Sequence, residues 1–152
     1  MQKETSIDHA LRATWQAVAK MYNEQAAKYN STMATAFVLL NIDHENGTPS
    51  TALGPQMGME PTSLSRILKN MEDDGLICRE KNPEDGRSVF IKLTNHGKDK
   101  RELSKESVLR FNDVVRQNLT EQEIQSFFKV TQKINQLIAE RSIFNNTERK
   151  AV

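Results

Sequence analysis

Two groups of polar side chains lie close together in the middle of the chain, in a pattern suited to gripping a polyanion. Thr62, Ser63, Ser65, Arg66, Lys69 and Asn70 fall on one side of a helical repeat. Its other side is Leu64, Ile67, Leu68 and Met71, an i, i+3, i+4, i+7 apolar stripe. The segment GLICREKNPEDGRSVFIKLTNHGK (Gly75–Lys98) follows. It reads as two short strands joined by a polar turn carrying Asp85, Gly86 and Arg87, with Arg79 and Lys81 on the first strand. Hydroxyls can bond base edges or phosphates. An arginine such as Arg66 can take a guanine edge bidentately or hold a phosphate. A polar-faced helix followed by a charged hairpin is one compact way to grip a DNA duplex. The bland alternative is an ordinary solvated surface, and for Asp85-Gly86 simple turn chemistry.

The elements that must position these groups can be read around them. Leu11, Trp15, Val18 and Tyr22 predict a long first helix over about 7–29, with no Pro or Gly inside it. Ser31 or Thr32 is a candidate N-cap for a second, centrally buried helix over about 33–44, which Asn46-Gly47 ends. Ser50 is expected to cap a short third helix through Met57, with Leu53 and Met57 inward. Pro55 within it is expected to delay its start or kink it, and Gly54 to allow close approach to the next helix. Pro61 suits the first position of the fourth helix, and Gly75 stops it. Thr94 is expected to cap a fifth helix toward Asn118. Thr120 and Glu123 form a capping box for the sixth, with Leu119 and Ile124 as a hydrophobic staple. Two short helices and a hairpin make a winged helix-turn-helix. The fold class expected is mostly α with a small β-hairpin wing: a winged helix-turn-helix domain plus a helical dimerisation region built from both chain ends.

That second part follows from surface area. The terminal helices carry Trp15, Tyr22, Phe111, Val115, Phe127, Phe128, Ile134 and Ile138. The central unit is too small to cover them, and a second copy related by a two-fold axis is the simplest cover, the alternative being a monomeric bundle in which these helices cover one another. The expected organisation is 1–31 and 95–144 in the dimerisation region, 32–94 as the DNA-binding domain, and 145–152 as a frayed tail. Length and composition agree: 152 residues, 37% hydrophobic and 27% charged, favour a helix-rich chain with much exposed surface. The net charge of +1 does not itself announce nucleic acid, but Arg79–Arg101 holds seven basic residues against four acidic ones. One cysteine excludes an internal disulfide. No signal-like or membrane-spanning apolar run is present, so the expectation is a soluble cytoplasmic protein with no membrane partner.

At this point the chain resembles the MarR family of bacterial transcription regulators. The resemblance is densest over Leu53–Lys98. It rests on Gly75-Leu76-Ile77, Arg79, the Asp85-x-Arg87 pair and Leu93-Thr94-x-x-Gly97-Lys98. It implies a homodimer with a winged-helix lobe on each side, binding double-stranded DNA at a pseudo-palindromic operator as a repressor. It implies that Arg87 enters the minor groove, where focused negative potential favours a cation, and Asp85 is then best read as orienting the wing and Arg87. Many relatives carry a basic residue where Gly86 stands, so this wing tip has lost a potential charge. The resemblance also implies release by a small aromatic or anionic effector, for which Trp15, Tyr22 and Phe37 are the candidate cleft. The alternative from another class is a winged-helix protein-interaction module without DNA binding.

Other chemistry finds little support. His9, His44 and His96 are far apart, without metal-ligand spacing. Cys78 reads as a small structural residue in the first hairpin strand. The thiol-sensing branch of the family carries its reactive cysteine in the first helix, where this chain has none. No nucleophile–base pair, phosphate loop or acid pair suggests catalysis. Neither an enzyme nor a cofactor is expected.

Overall fold

The computed structural model of the chain describes residues 5–145. Its elements run α1 (Ile7–Ala27), α2 (Met33–Asn41), β1 (Thr48–Pro49), α3 (Ser50–Met57), α4 (Pro61–Asp73), β2 (Ile77–Lys81), β3 (Val89–Leu93), α5 (Asn95–Gln117) and α6 (Glu121–Ala139). The architecture is mostly helical with one small antiparallel sheet, as expected. The chain divides into two compact units, Met1–Val108 and Leu109–Val152. Residues 146–152, most of the expected tail, lie outside the described residues.

The first unit has a continuous apolar core. Val38, Leu39 and Ile42 from α2 meet Leu53 from α3, Leu64, Leu68 and Met71 from α4, and Leu76, Ile77, Ile91 and Leu93 from the sheet. The stripe read on the fourth helix therefore faces inward, and its polar side remains exposed. Thr32 is the N-cap of α2, its hydroxyl accepting the Thr35 N–H at 3.2 Å. Pro61 opens α4 at its first turn.

Gly75 ends α4 at φ 73°, a left-handed conformation that costs glycine little. The Gly75 N–H bonds the Glu72 carbonyl at 3.0 Å, and the Leu76 N–H bonds that of Met71 at 2.9 Å. These two bonds make a Schellman turn, with Met71 and Leu76 both buried beside it. β2 thus leaves α4 at a fixed angle.

α5 is clamped to the same corner. The Thr94 hydroxyl accepts the Gly97 N–H at 3.0 Å, the expected cap, and donates to the Gly75 carbonyl at 2.6 Å. A Cβ built on Gly97 would stand 1.9 Å from the Leu76 carbonyl oxygen.

Several expectations are corrected. Helix α1 ends at Ala27 and α2 at Asn41, short of 29 and 44. Past Asn41 the Asp43 carboxylate accepts the Glu45 and Asn46 N–H groups, each at 2.9 Å, and turns the chain. Ser50 does not cap α3; Pro49 holds that position without a side-chain bond, and Ser50 is already helical. Pro55 does not delay α3, which runs through it. Gly54 is buried, and a Cβ there would lie 3.4 Å from the Met59 carbonyl oxygen and 3.6 Å from a Leu64 methyl, both ordinary contacts. Strand β1 is an addition: Thr48 and Pro49 pair with Ile91 and Phe90, making a three-stranded sheet of order β1-β3-β2. Two residues, one a proline, carry no alternation to read.

In the second unit Thr120 caps α6 through the Glu123 N–H at 3.2 Å. The Glu123 carboxylate does not return the bond, so only half of the capping box forms among the described residues. Ile124 is buried, while Leu119 is 42% exposed. Phe127 and Phe128 stack edge to face at 5.6 Å, with Arg116 over the Phe128 ring.

Candidate nucleic-acid interface

The N-terminal half of α4 presents Thr62, Ser63, Ser65 and Arg66 on its solvent side, with Lys69 one turn later; all five are exposed. Their side-chain polar groups have no hydrogen-bonded or ionic partner among the described residues, so they are free to meet a ligand. The backbone beneath them is held by the core through Leu64, Leu68 and Met71.

The hairpin pairs Ile77 with Leu93, Arg79 with Ile91, and Lys81 with Val89. Its tip is a seven-residue loop, Asn82–Ser88, and not the two-residue turn that Asp-Gly would favour. The loop has its own scaffold. Asn82 donates its main-chain N–H to the Ser88 carbonyl at 3.1 Å and its amide to the Ser88 hydroxyl at 3.0 Å. The Asn82 side-chain oxygen accepts the Glu84 N–H at 3.0 Å. The Asp85 carboxylate accepts the Arg87 N–H at 3.0 Å, an Asx turn that fixes the backbone from which Arg87 projects. Spent on the main chain, Asp85 is not ion-paired to the guanidinium. Arg87 and Lys81 are both exposed and have no acidic partner among the described residues. Gly86 has open space around it and no left-handed φ, so it is not required by the turn.

Arg79 is placed differently. Its guanidinium lies 3.3 Å from the Glu72 carboxylate on the last turn of α4. On the other face of the sheet Lys92 lies 2.8 Å from Glu80. The Glu80 bond and charge hold the Lys92 ammonium's pKa above the ordinary lysine range. Sequence pattern does not single out Glu72, because its partner is seven residues away across a turn. Cys78 is half-buried in β2, facing Lys92 in register. Among the described residues no group of acids, histidines and cysteine gathers at a metal-binding spacing.

The candidate effector residues divide. Tyr22 and Phe37 meet edge to face at 5.8 Å and line a small cavity of about 30 Å³ between α1, α2 and the start of α5. Burial pushes the Tyr22 hydroxyl's pKa up. Lys100, Ser104 and Ser107 complete the polar side of that cavity, and Lys100 donates to the Tyr29 carbonyl. Trp15 is not among the lining residues and is 53% exposed.

Comparison with known proteins places this geometry. The MarR family model matches residues 32–89. The organic hydroperoxide resistance transcriptional regulator of Bacillus subtilis is 35% identical over 98 residues, 64% of this chain and 66% of that protein. The match therefore spans just under two thirds of that relative's length. Among solved structures, Staphylococcus aureus MepR in complex with DNA superposes with a TM-score of 0.80 at 17% identity, covering 86% of this chain and 97% of that one. PcaV of Streptomyces coelicolor, in complex with its natural ligand, gives 0.76 at 21% identity, covering 90% and 96%. At such identities the structural likeness speaks for the fold. No helix among the described residues is long and apolar enough to cross a membrane.

Proposed function

The chain belongs to the MarR family, and from that premise we propose that it is a sequence-specific DNA-binding regulator that represses transcription as a homodimer on a pseudo-palindromic operator. The observation that carries this reading is the pairing, on one corner, of two polar surfaces that have no partner among the described residues. Thr62, Ser63, Ser65, Arg66 and Lys69 stand on α4, and Lys81 and Arg87 on the wing. The Schellman turn at Gly75 fixes one relative to the other. In this reading α4 enters the major groove and Arg87 the flanking minor groove. Residues 1–31 and 95–144 supply the dimerisation region around a DNA-binding domain at 32–94. MepR's complex with DNA is in keeping with this use of the fold.

A small aromatic or anionic effector is proposed to act at the cavity beside Tyr22 and Phe37, where Lys100 supplies a cation. PcaV's complex with its natural ligand supports an effector in this fold. The cavity as it stands has room for a water or two, so an effector ring has to widen it to enter. Trp15 is left out of this site.

The test is a titration of the protein with DNA from upstream of its own coding sequence, at several salt concentrations. The expected result is tight binding to one fragment, with log K falling linearly with log salt. Weak binding without a preferred fragment would favour the winged-helix interaction module instead.

A further inference from the structure

We propose that Arg79 is a positioning residue and not a DNA contact: its ion pair with Glu72 braces the wing against the recognition helix. The inference rests on the DNA-binding reading above and gives Arg79 a different part in it from the phosphate contact its charge suggests.

The geometry follows from the strand's period of two. Ile77 points into the core, so Arg79, two residues on, lies on the same face of β2, toward the helices. There its guanidinium reaches Glu72 at 3.3 Å. Glu72 stands on the last turn of α4, just ahead of the Schellman turn, and Arg79 is locked into the ladder opposite Ile91. The segment between them is thus closed at one end by the turn and at the other by the ion pair. Such a closed corner adds a side-chain tie to the angle that the Schellman turn sets between α4 and the hairpin. On the opposite face Glu80 and Lys92 repeat the device from β2 to β3 at 2.8 Å. The brace thus continues from helix to first strand to second strand, and from there the wing loop carries Arg87.

Electrostatics argue the same way. To reach a phosphate, Arg79 would have to leave Glu72 and so expose a bare carboxylate beside the DNA. Lys81 and Arg87, further out, have no acid to give up among the described residues. The two partners remain 37% and 42% exposed. Pairs so exposed add little to folding stability, so the effect of this one is read in DNA binding.

The experiment uses the duplex that the wild-type protein enriches from a random-sequence library. Affinity is measured across a salt series for the wild type, Glu72→Gln, Arg79→Gln and the double variant, with thermal unfolding as a control on folding. Each single substitution is expected to weaken binding by about two- to fivefold, the range of an exposed ion pair. The double variant should bind no more weakly than Arg79→Gln, and the salt slope should stay at the wild-type value. The charge-swapped Glu72→Arg/Arg79→Glu protein should bind more tightly than Arg79→Glu alone. Unfolding midpoints should barely move. The decisive sign is that of Glu72→Gln: removing a negative charge near DNA tightens binding by charge alone, and the brace predicts weakening. The brace is overturned if Glu72→Gln tightens binding or leaves it unchanged. It is also overturned if Arg79→Gln costs the same in both backgrounds with a slope shallower by about one, the mark of a phosphate contact. A wild type that enriches no duplex sinks the DNA reading and the brace together; one that binds but shows additive losses sinks the brace alone.

Discussion

The wing illustrates how similar side chains acquire different tasks from their neighbours. Arg79, Lys81 and Arg87 lie within nine residues and carry the same charge. Arg79 is tied to Glu72, while Lys81 and Arg87 project without an ionic partner among the described residues. Arg87 stands on a backbone that Asp85 fixes through a 3.0 Å bond, so a groove contact by it would lose little freedom on binding. Arg87→Ala is therefore expected to weaken operator binding by about 1–3 kcal/mol, with a shallower salt slope, measured by fluorescence anisotropy. An unchanged affinity would remove the wing from the proposed contact. Gly86 allows the converse test. Its surroundings are open and its φ is not left-handed, so a side chain there meets no strain. Gly86→Lys should tighten binding to all duplexes and steepen the salt slope by about one. The Asp-x-Arg pair was legible in the sequence because its chemistry is local. The pairing of Arg79 was not, because it depends on which face of β2 meets α4.

At the scale of elements, the corner joining α4, β2 and α5 fixes the proposed interface. Three carbonyls and hydroxyls meet there: Gly75 O, Leu76 O and the Thr94 hydroxyl. The helix start at α5 approaches so closely that Gly97 has no room for a methyl group. Gly97→Ala must push α5 off the Leu76 carbonyl, and is expected to cost about 1–3 kcal/mol, the usual range for overpacking, in urea unfolding. A second element-scale test concerns the turn from α2 into β1. The backbone N–H of Asn46, then that of Glu45, lower the Asp43 pKa below the ordinary carboxylate value of 3.8. A folded-state pKa lowered in this way adds stability above the unfolded value and loses it as pH falls through the folded one. The Tm difference between wild type and Asp43→Ala should be present at pH 7 and close in stronger acid, below the pH where an unfolded aspartate titrates. A gap unchanged by acid would deny Asp43 this role. Helices with caps and stripes, such as α4 with Pro61, Leu64 and Gly75, were legible from local pattern. β1 was not, because its pairing with Ile91 and Phe90 is a tertiary contact with no periodicity of its own.

At the scale of the whole molecule, each of the two units leaves large apolar side chains in water. In the first, Ile7 is 67% exposed, Leu11 44% and Trp15 53%. In the second, Phe127 is 58% exposed, Val130 54%, Ile138 57% and Phe144 80%. The stripes read on the first and sixth helices are thus real as patterns, but several of their members, Leu11 and Trp15 on the first and Phe127 and Ile138 on the sixth among them, stay exposed among the described residues. A scattered exposed leucine needs no explanation, but apolar stripes repeated along whole helices do. The proposed homodimer supplies one, and an isologous interface makes a sharp demand: every substitution in it counts twice. Burying a phenylalanine contributes about 1.5–3 kcal/mol, so two Phe127→Asp chains in one dimer should lose about 3–6 kcal/mol of association, on the order of a hundredfold to ten-thousandfold in Kd. Sedimentation equilibrium should then find dimers of the wild type and monomers of Phe127→Asp at micromolar concentration. The same variant should keep its fold by circular dichroism, because Phe127 lies outside the core of the first unit. Its DNA binding should fall from a two-half-site footprint to weak half-site contacts, since only a dimer presents two α4 helices at a fixed spacing. A wild type that sediments as a monomer would remove the dimer, and with it the reason for expecting a palindromic operator.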